Sequence, residues 1–399
     1  MFEEFLKTFD EISKIGWDEN NGVNRVALTK FDLEARNRII SKLHEINAEI
    51  NFDDAGNIYG SIGRNEGMIT IGSHMDSVPN GGRFDGMYGV ISGLEILRLY
   101  SKEKLNEKLV LVDFTNEEGS RWQPDLQGSG LATGVFDKNF IYSRTDSDGL
   151  KFGDVLKESK FLGQEENRIK NMHPDYYIEP HIEQGPVLEK EKYEIGIPLG
   201  IVTDVVDVYT FMGESNQAGP TPMDMRKDAL VAASKFISKI NEIANTLAPR
   251  IVMTVGEIKI LPNVYSVIPQ IVELKLDIRS PEKDLAYEEK KIAHELAQEI
   301  ANEKNVSLKI KNGWALDTIN FNEDLIKIIE KSCKDLNLKY KFMYSWATHD
   351  AMNMNKITDT AMIMIPSHNG RSHTKEEFSS DSDMVNGLKV LKKTVEYLL

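Results

Sequence analysis

Apolar side chains follow two rhythms along the 399-residue chain. At the start, Phe2, Phe5, Leu6, Phe9, Ile12 and Ile15 recur at the three-and-four spacing of a helix with one apolar face. A second helix is expected from Lys30, with Thr29 placed to cap it. Short unbroken apolar runs then alternate with helical stretches. Residues 68–72 read as a buried strand, 88–100 as a helix and 109–114 (LVLVDF) as another strand. A third strand begins at 176–178 and runs towards His181. This alternation predicts an α/β fold with a mostly parallel sheet and flanking helices.

The rhythm changes near Thr203. A strand is expected over 205–211, a long helix over 225–247, two strands over 250–260 and 270–279, a helix over 283–302 and a strand over 307–311. The order β-α-β-β-α-β is that of a small ferredoxin-like sandwich. It predicts an inserted domain, 208–315, between two parts of a larger one, 1–207 and 316–399. Beyond the insertion the α/β pattern resumes. A helix is expected near 323–336, strands near 341–344 and 361–365, and a terminal helix from Asp381.

Charge narrows the partners. There are 63 acidic against 48 basic residues, a formal net charge of −15. No basic run interleaved with aromatics stands out, so nucleic acid and anionic membrane surfaces are not expected partners. The single cysteine, Cys333, cannot form an internal disulfide and reads as packing in a helix. The opening MFEEFLKTF is acidic where a signal peptide is basic. The longest apolar stretches, such as 361–365, are far too short to span a bilayer. A cytoplasmic location is the expectation.

Four segments could carry chemistry, each at or just after an apolar strand. In 72–90, GSHMDSVPNGGRFDGMYGV, His74 and Asp76 follow a strand and Asp85 precedes a helix. The carboxyl ends of parallel strands are where ligands bind, and the glycines between let these side chains converge. In 109–119, LVLVDFTNEEG, Glu117 and Glu118 follow the next strand; one can bind a metal while its neighbour holds a water. In 179–188, EPHIEQGPVL, His181 closes a strand and Gln184 stands before a helix starting at Gly185-Pro186. In 366–377, PSHNGRSHTKEE, His368 and His373 follow the last strand. Imidazole and carboxylate together suit zinc or manganese, with cobalt and nickel also compatible, and a shared carboxylate suits a two-metal site. His44, His173 and His294 have no motif around them and read as surface groups.

The segments GSHMDSVPNGGRFDGMYGV, TNEEGSRW, HIEQGPVLE, AGPTPMDMRKDAL, TVGEIKILPN, VIP, LDIRS, THDA and SHTKEE occur in this order over nearly the whole chain. In this the sequence resembles the two-metal aminoacylase and carboxypeptidase superfamily, in its hydantoinase/carbamoylase branch. That branch includes N-carbamoyl-L-amino-acid hydrolases, beta-ureidopropionases and allantoate amidohydrolases. The resemblance implies a metal-binding catalytic domain with an inserted lid that also supports a homodimer. It implies two divalent ions per subunit. His74 and His181 would bind one, Glu118 and His373 the other, and Asp85 both. Asp76 would orient His74, and Glu117 would be the general base. Gln184, Asn263, Arg279 and His349 match substrate-contacting positions, and Arg279 would grip a substrate carboxylate.

Four positions depart from the family pattern. Gln217 stands where the family carries a histidine that stabilises the oxyanion. Ser266, Trp346 and Arg371 also differ from the usual residues. His368 matches no ligand position. The implied activity is hydrolysis of a linear amide C–N bond in a small N-carbamoyl or ureido acid bearing a carboxylate. An aminoacylase or small-peptide hydrolase with the same machinery, or a binding protein that has lost catalysis, are the alternatives.

Overall fold

A computed structural model describes residues 2–64 and 66–399. Its longer strands, in chain order, are β1 Glu49–Phe52, β2 Ile58–Gly63, β3 Met68–His74, β4 Lys108–Phe114, β5 Tyr176–Ile182, β6 Ile195–Ile201, β7 Thr203–Met212, β8 Val252–Leu261, β9 Ile271–Ser280, β10 Ser307–Leu316, β11 Tyr340–Ser345 and β12 Asp359–Ile365. The longer helices are α1 Phe2–Ser13, α2 Lys30–Glu45, α3 Met87–Tyr100, α4 Ala229–Leu247, α5 Lys283–Glu303, α6 Glu323–Asp335 and α7 Asp381–Leu398. The chain forms two compact units, one running to Leu199 and resuming over Phe321–Leu399, the other Gly200–Asn320.

The first unit is built on a mixed sheet in the order β6-β12-β5-β3-β4-β2-β1, with β11 paired to β6. The central strands β12, β5, β3 and β4 are parallel. Strands β6, β2 and β1 run antiparallel to their neighbours. Every residue of β3 is buried, and β4, β5 and β12 are buried after their first residue. A strand covered on both faces reads as an unbroken apolar run, which is why these four were legible. Of the outer strands, β11 is expected from the sequence near 341–344, but β6, β2 and β1 are not. Strand β1 is only half-buried, and β6 (IGIPLGI) carries Gly196, Pro198 and Gly200, residues that weaken a strand pattern.

Helix α3 is buried almost all round, as a core helix must be. It packs on β3, β4 and β5. Helix α1 lies on its outer side, with the Phe5 and Tyr88 rings edge to face at 6.3 Å. Cys333 is a buried packing residue on α6.

The second unit follows the order β7-α4-β8-β9-α5-β10 along the chain. Its four-stranded sheet is arranged β8-β9-β7-β10, all neighbours antiparallel. Helices α4 and α5 cover one face, burying Tyr209, Phe211, Phe236, Leu274, Leu276 and Ile278 among others. Helix α4 starts at Ala229, four residues later than the sequence pattern suggests. Asp228 accepts hydrogen bonds from the Leu230 and Val231 amides, and residues Met223–Met225 form a separate 3-10 turn. Strand β10 extends past the expected end to Leu316, through a bulge between Asn312 and Trp314 on an exposed edge. No helix among the described residues is long and apolar enough to cross a membrane.

Candidate metal centre

Each of the four parallel strands ends in the same region and delivers chemistry there. His74 is the last residue of β3, and Glu117 and Glu118 lie three and four residues beyond β4. His181 is next to last in β5, and His373 sits on the loop after β12. Asp85 comes from the loop between β3 and α3. Gly86, directly after it, has φ +61°, and a Cβ there would lie 2.4 Å from the His74 ring. Only glycine brings Asp85 this close to His74.

Among the described residues, His74, Asp85 and His181 form one group of donors lying within 4.8 Å of one another. Asp85, Glu118 and His373 form a second. Asp85 belongs to both, and its oxygens divide the work. Oδ1 is 3.5 Å from His74 Nε2 and 3.1 Å from His181 Nε2. Oδ2 is 3.3 Å from His373 Nε2, which is 3.4 Å from Glu118 Oε2. A tetrahedral ion with bonds of ~2.0–2.1 Å needs donor–donor edges of about 3.3–3.4 Å. The donor set therefore fits divalent cations on both sides of Asp85. A third group, Glu179, His181 and His349, lies fully buried beside the first.

The imidazoles are held in the tautomer a cation needs. His74 Nδ1–H donates to the Asp76 carbonyl at 3.0 Å, and His181 Nδ1–H to the Ile182 carbonyl at 2.9 Å. A carbonyl can only accept, so each Nδ1 carries a proton, which leaves Nε2, the nitrogen turned to Asp85, as the atom that would bind a cation. The Asp76 carboxylate is 3.7 Å from His74 Nδ1. Its oxygens accept the main-chain N–H groups of Glu117 (3.1 Å) and Glu118 (3.4 Å) instead. Asp76 thus ties the end of β3 to the acidic pair after β4. Glu117 Oε2 reaches to 3.5 Å from His74 Nε2.

The charge balance is one that bound cations would relieve. Burial is the main cause that pushes Glu117 well above the usual carboxylate range, with Asp350, Glu118 and Asp76 adding to it. Burial and then Asp85 push Glu118 up to about 8. Burial opposes protonation of His74, but Glu117, Asp85 and Asp76 outweigh it and raise the imidazole. Carboxylates crowded into a dry site cannot all ionise without positive charge between them. Glu118 Oε1, the oxygen turned away from His373, is buried without a hydrogen-bond partner, as are Gln184 Oε1 and both Asp350 oxygens.

The structure brings His74, Asp76, Asp85, Glu117, Glu118, His181 and His373 together. Gln184 joins them, its Nε2 donating to Asp85 Oδ2 at 2.6 Å. His349 is buried behind His181, ring centroids 4.4 Å apart, and hydrogen-bonds Ser345 Oγ at 2.9 Å. Burial and then His181 hold its pKa well below the ordinary value. The remaining candidates belong to the second unit. Gln217 and Asn263 are exposed on two loops joined by the Gln217–Val267 bridge and the Ala218 N–H to Ser266 carbonyl bond. Arg279 binds the carboxylates of Asp277 and Asp204. His368 is exposed and pairs with Glu189. His44 and His173 are exposed, whereas His294 is half-buried with its Nε2 2.7 Å from Asp207 Oδ2.

Sequence reasoning missed three buried acids around the centre. Glu179 accepts from Ser73 Oγ and the Ala351 amide. Asp350 is completely buried. Glu377 binds two of the ligand loops at once. Glu377 was in view as the last residue of SHTKEE, but an acid at the end of a motif does not announce which amides it will face.

Comparisons with known proteins agree with this geometry. Residues 70–397 match the model of peptidase family M20/M25/M40. The chain is 33% identical over 401 residues to an N-carbamoyl-L-amino-acid amidohydrolase of Pseudomonas sp. (strain NS671), covering 97% of this chain and 95% of that protein. It is 29% identical over 385 residues to an allantoate amidohydrolase of Bacillus subtilis (strain 168), covering 95% and 93%. A crystal structure of a hydantoinase/carbamoylase family amidase from Burkholderia multivorans superposes with a TM-score of 0.90 at 30% identity, covering 99% of this chain and 97% of that one. With agreement of this extent in sequence and in fold, the chain belongs to peptidase family M20/M25/M40, on its hydantoinase/carbamoylase branch.

Proposed function

We propose that this protein hydrolyses the linear C–N bond of a small N-carbamoyl or ureido acid with the help of two divalent cations. It is a hydrolase acting on C–N bonds other than peptide bonds. The observation that carries the two-cation reading is the division of Asp85, one oxygen turned to His74 and His181 and the other to His373. His74, Asp85 and His181 would hold one cation, and Asp85, Glu118 and His373 the other. Zinc or manganese suits these ligands best, with cobalt and nickel as alternatives. Such ions supply Lewis-acid polarisation of the scissile carbonyl and make water a nucleophile at neutral pH.

The chain's own residues do the rest. Glu117, with its main chain pinned by Asp76, takes a proton from the attacking water as its oxygen bonds to the carbonyl carbon. As the C–N bond breaks, Glu117 returns that proton to the departing nitrogen. Gln184 and His349 in the first unit, and Gln217, Asn263 and Arg279 in the second, are assigned to substrate recognition by the family resemblance. Arg279 suits a substrate carboxylate because its planar fork binds one bidentately. Gln217 can donate an N–H bond to an oxyanion but carries no positive charge. The same resemblance assigns the second unit to a lid and a homodimer contact.

The test is Glu117→Gln. Turnover of an N-carbamoyl-L-amino acid should fall by about 10²- to 10⁴-fold, with metal content by elemental analysis unchanged. Unimpaired turnover removes Glu117 as the base. Allantoate, N-acyl amino acids and dipeptides assayed beside it define the substrate, and activity on dipeptides alone overturns the carbamoyl reading.

A further inference from the structure

Glu377 is 5% exposed and uses both oxygens twice. Oε1 accepts the main-chain N–H groups of Phe84 (2.7 Å) and Asp85 (3.0 Å). Oε2 accepts Ser372 Oγ–H (2.8 Å) and the His373 N–H (3.2 Å). One carboxylate therefore fastens the loop that carries Asp85 to the turn that carries His373, across 292 residues of chain. Four donors converge on it, and a carboxylate, which only accepts, is the group that can satisfy all four.

Two further observations point the same way. His373 has φ 56°, a left-handed conformation that a side chain with a Cβ resists. The turn keeps it there by closing on itself, with Glu377 N–H bonded to the Thr374 carbonyl while the Glu377 carboxylate takes the His373 N–H. Gly82 makes the space for that carboxylate, because a Cβ at this position would stand 2.0 Å from Glu377 Cδ and Oε1. The glycine and the glutamate are two halves of one fitting.

Ser372 couples this fitting to the cation. Its single O–H lies 2.8 Å from Asp85 Oδ2 and 2.8 Å from Glu377 Oε2, and it can donate fully to only one. A cation on Asp85 Oδ2 would release the hydroxyl to Glu377 and so tighten the turn that presents His373.

We propose that Glu377 is a positioning residue that sets the affinity of the cation held by Asp85, Glu118 and His373. It binds the main chain at two of that ion's three ligands but at only one ligand, Asp85, of the ion held with His74 and His181. The inference rests on the two-cation reading above.

The experiment equilibrates loaded, full-length protein against zinc buffered over a range of free concentrations, and counts retained zinc. Glu377→Gln turns an NH₂ towards N–H donors on one side of the fitting. The retention step that Glu118→Ala abolishes, and that therefore belongs to the ion held with Glu118 and His373, should then need about 10- to 100-fold more free metal, while the other step shifts clearly less. Gly82→Ala should move the same step in the same direction. It removes no hydrogen-bonding group, so it carries the test if Glu377→Gln does not fold. Wild-type retention curves in the variants, or equal loss of both ions, overturn the proposal. Wild-type protein that retains fewer than two zinc ions fails the two-cation reading and takes this proposal with it.

Discussion

The two units solve opposite problems with similar materials. In the first, four parallel strands are covered on both faces, so their side chains are spent on packing and only their ends are free for chemistry. Each end is then braced from behind by Asp76, Glu179 or Glu377. In the second, the antiparallel sheet is covered on one face only. Its loops expose Gln217 and Asn263 and, beside them, Tyr265 and Met223. The contrast teaches where precision is kept. The groups that converge sit at or within a few residues of buried strand ends, or on loops fastened to them, whereas Gln217 and Asn263 sit on exposed loops.

The harshest way to break this contrast is Asp85→Asn. An amide offers one acceptor oxygen and one donor NH₂, so it cannot serve ions on both sides. The variant should retain about one ion fewer per chain, and turnover should fall with it, as elemental analysis and an activity assay will show. Full retention would mean that the two donor groups do not share Asp85.

A smaller effect sharpens the comparison from the other side. Phe236 is fully buried in the second unit, with the Tyr209 and Phe211 rings 4.8 and 5.9 Å away. Phe236→Ala should destabilise that unit by about 3–5 kcal/mol through lost burial and a cavity, read as a lower transition in scanning calorimetry. Ion retention at low temperature should not change, because every proposed ligand lies in the first unit. Loss of ions from the folded variant would show that the second unit supports the centre.

The smallest expected effect is at a cap. Asp228 accepts two amide hydrogen bonds at the start of α4. Asp228→Ala should cost about 0.5–2 kcal/mol by the same calorimetry, with turnover per folded molecule unchanged.

How much of this was readable beforehand follows from the same contrast. Runs such as MITIG and LVLV betrayed central strands because both faces are covered. Half-exposed EINF and the Gly- and Pro-bearing IGIPLGI did not, because outer antiparallel strands need no apolar run. The acids and histidines that follow the strands stood out by residue type. Which atoms they turn towards one another did not. The resemblance implies that Asp76 orients His74 without saying through which atom. The His74 ring meets the Asp76 main-chain oxygen, and the carboxylate holds the Glu117 and Glu118 amides.

The order of residues by itself determined which elements form, which strand ends carry histidine or acid, and that two patterns of hydrophobicity share one chain. These are local properties, set by spacing and by side-chain type. Only the tertiary structure decided that Asp85 turns one oxygen to His74 and His181 and the other to His373, that Glu377 joins loops almost three hundred residues apart, and that Gly82 leaves room for it. Those facts depend on how separate segments pack against one another, and no local pattern encodes a distance between segments that meet only on folding.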